Sequence, residues 1–148
     1  MTVHTDTGTK TAARGRAVMA RAAAFLVAGF FVLHALAHLV GLKDIWGIGA
    51  GVSNTTTYMT GLDPHSAAYA ALGAVWLAAC LLFVGAAAGI VLRRSWWLPV
   101  AFAAAGLSLA VCVLWFDAAI VGLVVNAVIL VALVVWTVVR RATGGGPR

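Results

Sequence analysis

The chain of 148 residues is 64 % hydrophobic and only 9 % charged, with a mean hydropathy of +1.05. The apolar share of a soluble domain is roughly 45–50 %, so this composition excludes a water-soluble globule and leaves room for one domain. A formal charge of +6 and a pI near 10.4 would suit a nucleic-acid binder. Here the basic residues stand in short tracts at the ends of apolar runs, the pattern of topology signals, and nucleic acid is not expected as a partner.

Residues 1–21 are rich in Thr and Gly and carry Lys10, Arg14, Arg16 and Arg21, which reads as a flexible basic terminus. The first apolar run covers 22–42. Arg14 to Arg21, the apolar stretch and Ala35-Leu36-Ala37 loosely imitate a signal peptide with its cleavage site, but the run continues to Leu42 and favours a retained helix. An outer loop, 43–66, follows, with Gly47, Gly49, Gly51, Gly61 and the sequon Asn54-Thr55-Thr56. Asp63-Pro64 predicts a helix start ahead of the second span, 67–92. Within that span Gly85-Ala86-Ala87-Ala88-Gly89 has the small-xxx-small form of close helix packing. Ser95 is placed to cap a third span over 96–116, and Asp117 a fourth over 118–139. The tail 141–148 ends in Gly144-Gly145-Gly146-Pro147-Arg148 and reads as flexible.

Each run is long enough for the roughly 20 residues that cross a bilayer as a helix. Lipid offers no hydrogen bonds, so the backbone must satisfy itself. The predicted fold is all-α, an integral membrane four-helix antiparallel bundle with its transmembrane domain over 22–140. Trp46, Trp96, Trp97, Trp115 and Trp136 fall near span ends as an aromatic belt, and Trp76 alone lies inside. Nine of the ten basic residues fall on one side of this arrangement, and only Lys43 on the other. The positive-inside rule then predicts both termini in the cytoplasm, with the chain in the inner (plasma) membrane. Cys80 and Cys112 lie inside spans without CxxC spacing and read as buried free thiols.

Candidate chemistry centres on His34 and His38, whose spacing of four puts both imidazoles on one helix face. Such a pair can ligate one transition metal, hold a haem or relay a proton. Helical rise places His38 about 6 Å and His34 about 12 Å below the outer end of their span. Cys112 and Ser108 reach the same two depths on the third span, and Asn126 is level with His34 on the fourth. These residues predict a polar pocket in the outer leaflet, with Asp117, Asp63 and His65 around its mouth. His34, His38, Asn126 and Asp117 are the candidate catalytic residues, and His34 with His38 the candidate metal ligands. The structural alternative makes the histidines donors to neighbouring carbonyls, Ser108 and Asn126 interhelical links, and Asp117 a helix cap. No GxSxG elbow, P-loop, dinucleotide fingerprint, HExxH or paired-carboxylate motif is present, which argues against soluble-type hydrolysis or phosphoryl transfer.

The segment His34-Ala35-Leu36-Ala37-His38-Leu39-Val40-Gly41, the opening Asp117…Gly122…Asn126 of the last span, and the size and span count are similar to the DoxX-like group of small bacterial four-helix membrane proteins. The resemblance implies a redox-linked or accessory role, since some members are associated with systems that pass electrons to quinone. Two classes of function follow. One is a redox-linked subunit, or an enzyme acting on a lipophilic substrate, with haem, quinone or a transition metal as candidate cofactors. The other is a non-catalytic accessory subunit or a small-molecule-binding membrane protein. Expected partners are membrane lipids, a lipophilic small molecule or another membrane protein.

Overall fold

A computed structural model describes residues 6–46 and 66–144, and in them the apolar runs are helices: α1 Asp6–Trp46, α2 Ala67–Val91, α3 Trp97–Leu114 and α4 Phe116–Ala142. All four are long and apolar enough to cross a membrane, which marks a multi-pass membrane protein. The outer-loop glycines, the sequon, Asp63-Pro64 and His65 lie outside the described residues.

The helix ends differ from the sequence expectation. The first helix begins at Asp6 and continues through the basic segment, where composition pointed to a loose chain. Ala12, Ala13, Arg14, Arg16, Ala17, Met19, Ala20 and Arg21 are strong helix formers, and a lone Gly15 costs only about 1 kcal/mol. At 41 residues this helix is about 60 Å long, roughly twice the hydrocarbon thickness. The second helix is capped by Ser66, whose hydroxyl accepts the Tyr69 amide at 3.2 Å. Ser95 does not cap α3: the N-cap position is Trp96, without a side-chain cap. The N-cap position of α4 is likewise Trp115 rather than Asp117, and the helix kinks at Ala119 (φ −117°, ψ 19°). The side chain of Asp117 lies outside what is described.

Helices α2 and α3 meet through a tight turn. Arg94 N–H donates to Gly89 O at 2.9 Å and Arg93 N–H to Ile90 O at 3.1 Å, the paired bonds of a Schellman motif. The residue just past the cap takes a left-handed φ of 53°, and here it is Arg93, where glycine is usual.

Contacts run in opposite residue order between successive helices, which makes the pairs antiparallel. Gly41 faces the ring of Trp76, and Gly73 that of Trp46. Gly89 faces Trp97 and Gly85 faces Val100. Asn126 bonds Ser108, and Gly122 lies against Cys112. The Trp46 indole also donates to Ala70 O at 3.2 Å. Trp46 therefore packs α1 on α2, and Trp115 is buried between Trp76 and Tyr69 rather than standing in an interfacial belt.

The buried stripe on α1 is Ala28, Phe31, Ala35, His38, Leu42 and Ile45, an alternation of three and four residues. Ala101, Ala104, Ser108, Val111 and Trp115 repeat it through α3 and its C-cap, and Asn126, Ile129 and Leu133 on α4. This seam belongs to helices crossing at about 20°. Its interior mixes small and polar residues with Phe31, Leu42, Trp115, Ile129 and Leu133, while Leu26, Leu33, Val121, Val128 and Val131 face outward. An outer face as apolar as the interior suits a lipid surround, and the small residues allow the close backbone approach that drives association there. Among the described residues no Cα of α1 comes within 8 Å of one on α3 or α4; α1 meets those helices through side chains, His38 with Ser108 and His34 with Asn126.

The two glycines of the small-xxx-small motif are not equivalent. A Cβ on Gly89 would stand 2.7 Å from Trp97 Cβ and 3.1 Å from its Cα, whereas one on Gly85 meets only Val100 at an ordinary 3.7 Å. Ala87, which the motif would leave on another face, is itself buried. Gly89→Ala should therefore lower thermal stability in detergent by the equivalent of about 1–3 kcal/mol, and Gly85→Ala should leave it within about 0.5 kcal/mol. Equal melting temperatures for the two variants would contradict the packing described.

Candidate functional site

The seam explains the different fates of the two histidines. His38 occupies a stripe position and is 5 % exposed. His34 sits one residue off the stripe, beside Ala35, and is half-buried. Phe83 of α2, fully buried, packs both imidazoles at centroid distances of 4.7 Å (His34) and 5.7 Å (His38). The Trp76 ring covers His38 at 5.5 Å, and Phe30 stacks on His34 at 6.1 Å.

Every helix contributes to the layer, and one group sets its polarity. The Asn126 carboxamide donates through Nδ2 to Gly122 O, one turn earlier, at 2.7 Å. The opposite amide orientation would press two carbonyl oxygens together, so Nδ2 must face Gly122. The other Nδ2 hydrogen goes to Ser108 Oγ at 2.7 Å, with Cys112 Sγ a weaker contact at 3.8 Å. Asn126 Oδ1 then faces His34 Nε2 at 3.2 Å, and accepts from it.

The remaining protons follow in turn. Ser108 Oγ already accepts from Asn126 and spends its one hydrogen on His38 Nε2, 2.6 Å away. That nitrogen is therefore the acceptor of His38. Its Nδ1–H donates to the backbone carbonyl of His34 at 2.9 Å, where a bare nitrogen would be repelled. His38 is thus neutral with its proton on Nδ1, and a neutral His34 carries its proton on Nε2. His34 Nδ1 has no hydrogen-bond partner among the described residues, and it is not among their sealed polar atoms. It is left as an acceptor on the half-exposed side of the ring. The one sealed, unpartnered polar atom among the described residues is Trp76 Nε1.

The depth reckoning brings together the right residues with one shift of register. His34 meets Asn126 as expected, but His38 meets Ser108 rather than the level of Cys112. The cause lies in the helix ends: α1 runs on to Trp46 and α3 stops at Leu114, so His38 is deeper than an end at Leu42 implies. Asp117 is on the first turn of α4, its side chain undescribed; Asp63 and His65 lie outside the described residues. Sequence reasoning missed Trp76 and Phe83 as parts of the site. The seven-residue spacing of Tyr69, Trp76 and Phe83 was the available signal, since it puts three aromatics on one face of α2.

This donor set does not fit a metal shared by the two histidines. Both nitrogens of His38 are committed to protein partners, and among the described residues no three His, Cys, Asp or Glu side chains converge. Separations of 2.6–3.2 Å among the polar atoms leave no room between them for an ion. A single outside ligand can use His34 Nδ1. No known protein family, characterised protein or solved structure matches the chain.

Ser108→Ala removes the partner of His38 Nε2 and of one Asn126 hydrogen together. It should lower stability by about 1–2 kcal/mol, within the range for interhelical hydrogen bonds in membranes, and a His38→Ala/Ser108→Ala double-mutant cycle should show coupling. Additive losses in thermal unfolding would mean that the layer does not act as a unit.

Proposed function

We propose that this chain is a multi-pass protein of a bacterial inner membrane, with both termini cytoplasmic, that binds a lipophilic small molecule at His34 in the outer leaflet. The observation that carries the reading is the open acceptor at His34 Nδ1, on a ring held through Nε2 by Asn126 and only partly buried. An intramembrane imidazole with one nitrogen fixed and the other free is suited to receive a hydroxyl from a membrane-dissolved ligand. In this reading His34 touches the ligand, while Asn126, Ser108 and His38 position it. The similarity to DoxX-like proteins adds a redox-linked setting, with a hydroquinone as the candidate ligand.

Orientation rests on charge. Lys10, Arg14, Arg16 and Arg21 lie on the first part of α1, Arg93 and Arg94 in the α2–α3 turn, and Arg140 and Arg141 at the end of α4; Lys43 alone is at the opposite end. Reporter fusions after Arg94 and after Arg148 should read cytoplasmic, and one within residues 50–60 external. An intact mass corresponding to a chain beginning at His38 would remove His34 and the site with it.

A second reading, a non-catalytic accessory subunit, draws on the complete internal pairing of His38, Ser108 and Asn126, which holds helices together without any ligand. The two separate in one experiment with a short-chain hydroquinone. His34→Ala should weaken its binding roughly tenfold, the loss of one buried hydrogen bond, while the protein still folds. His38→Ala should lower thermal stability first. Unchanged hydroquinone affinity in folded His34→Ala would leave the accessory reading standing. An optical spectrum and metal analysis of the purified wild type test the cofactor question directly.

A further inference from the structure

A groove of about 580 Å³ runs between α1 and α2 on the side of the polar layer away from Lys43, ending at Val32 and Val84, just short of His34 and Phe83. Phe25, Gly29 and Val32 line it on α1, and Val84, Ala88 and Leu92 on α2. Its walls are hydrocarbon. Gly29 has no atom within 4 Å of the place a Cβ would take, so the floor is open space rather than a tight helix contact. From Phe25 to Val32 and from Leu92 to Val84 the groove extends about 10–12 Å along the helix axes, most of one leaflet of a bilayer with roughly 30 Å of hydrocarbon.

The mouth of this groove is cationic. Arg93 and Arg94 directly follow Leu92, and Arg21 lies one turn before Phe25 on the same face of α1. All three are exposed. No ion pair of these three is described, and the side chains of the four Asp residues lie outside what is described. An apolar channel most of one leaflet deep, ending at three exposed guanidinium groups, has the chemistry of a phospholipid with a net negative headgroup. We propose that one acyl chain of an anionic phospholipid occupies the α1–α2 groove, with its phosphate on Arg21, Arg93 and Arg94. Guanidinium forks match phosphate oxygens in geometry as well as charge, and basic clusters at the cytoplasmic ends of helices recognise such headgroups. The site is separate from His34 and does not depend on what binds there.

The test uses the full chain, purified and incorporated into vesicles of phosphatidylglycerol or of phosphatidylcholine with the same acyl chains, then released for native mass spectrometry. Wild type should retain one phosphatidylglycerol in preference to phosphatidylcholine. Arg93→Gln/Arg94→Gln should cut that preference at least tenfold, following roughly fivefold per arginine at a membrane surface, while the groove still takes a chain of either lipid. Gly29→Leu fills open space, leaves the fold intact and should abolish retention of both. Thermal melting beside each measurement keeps misfolding apart from lost binding. Equal retention of the two lipids by wild type would overturn the proposal. So would retention unaffected by Gly29→Leu, or a dimer that Gly29→Leu dissociates, since the groove would then hold a second copy of the chain.

Discussion

The constraint on which the polar layer depends is the 2.7 Å bond from the Asn126 amide to the carbonyl of Gly122. It lies within one helix and fixes nothing beyond which end of a carboxamide is nitrogen. From that choice the Ser108 proton, the tautomer of His38 and the tautomer of His34 follow in sequence, across three helices. Gly122 takes part for a steric reason as well: a Cβ there would stand 3.0 Å from Cys112 Sγ, so a larger residue would press on that thiol beside the layer. Water could rescue a mismatched donor in a soluble protein. In a bilayer interior each mismatch keeps its full desolvation cost.

The four helices and the gathering of His34, His38, Ser108 and Asn126 in one layer were legible in the sequence, because count and approximate depth need only the apolar runs and the rise per residue; the extension of α1 back to Asp6 and on to Trp46 was not. Which face of each helix points inward was not. In water the apolar face is the buried one, so periodicity reveals it. Here Val121, Val128 and Leu33 outside are about as apolar as Phe31, Ile129 and Leu133 inside, and more so than Ala35, Ala104 and Ser108, so the usual contrast is missing. The polar positions are the signal that remains: His38, Ser108 and Asn126, one on each of three helices, all lie in the seam. The caps were misjudged for a related reason. Ser95 and Asp117 are good cap residues by type, yet both adjoin tight connections where the preceding helix decides the path of the chain.

The α2–α3 turn shows two preferences in conflict. A left-handed backbone at Arg93 costs roughly 1–2 kcal/mol relative to glycine. Glycine would satisfy the conformation but remove a positive charge from one of the tracts that set orientation. The arginine is retained at a conformational cost, and its neighbour Gly89 makes the close approach of Trp97 that the turn requires.

The hydrogen bond between His34 and Asn126 joins residues 92 apart, on α1 and α4. Until α4 joins the other three helices, His34 Nε2 lacks its acceptor. The three earlier helices can associate through their own contacts, but the tautomer of His34 is set only once α4 has docked. The layer therefore reports that α4 is in place: a bundle of α1, α2 and α3 alone would carry an imidazole whose proton is free to choose either nitrogen.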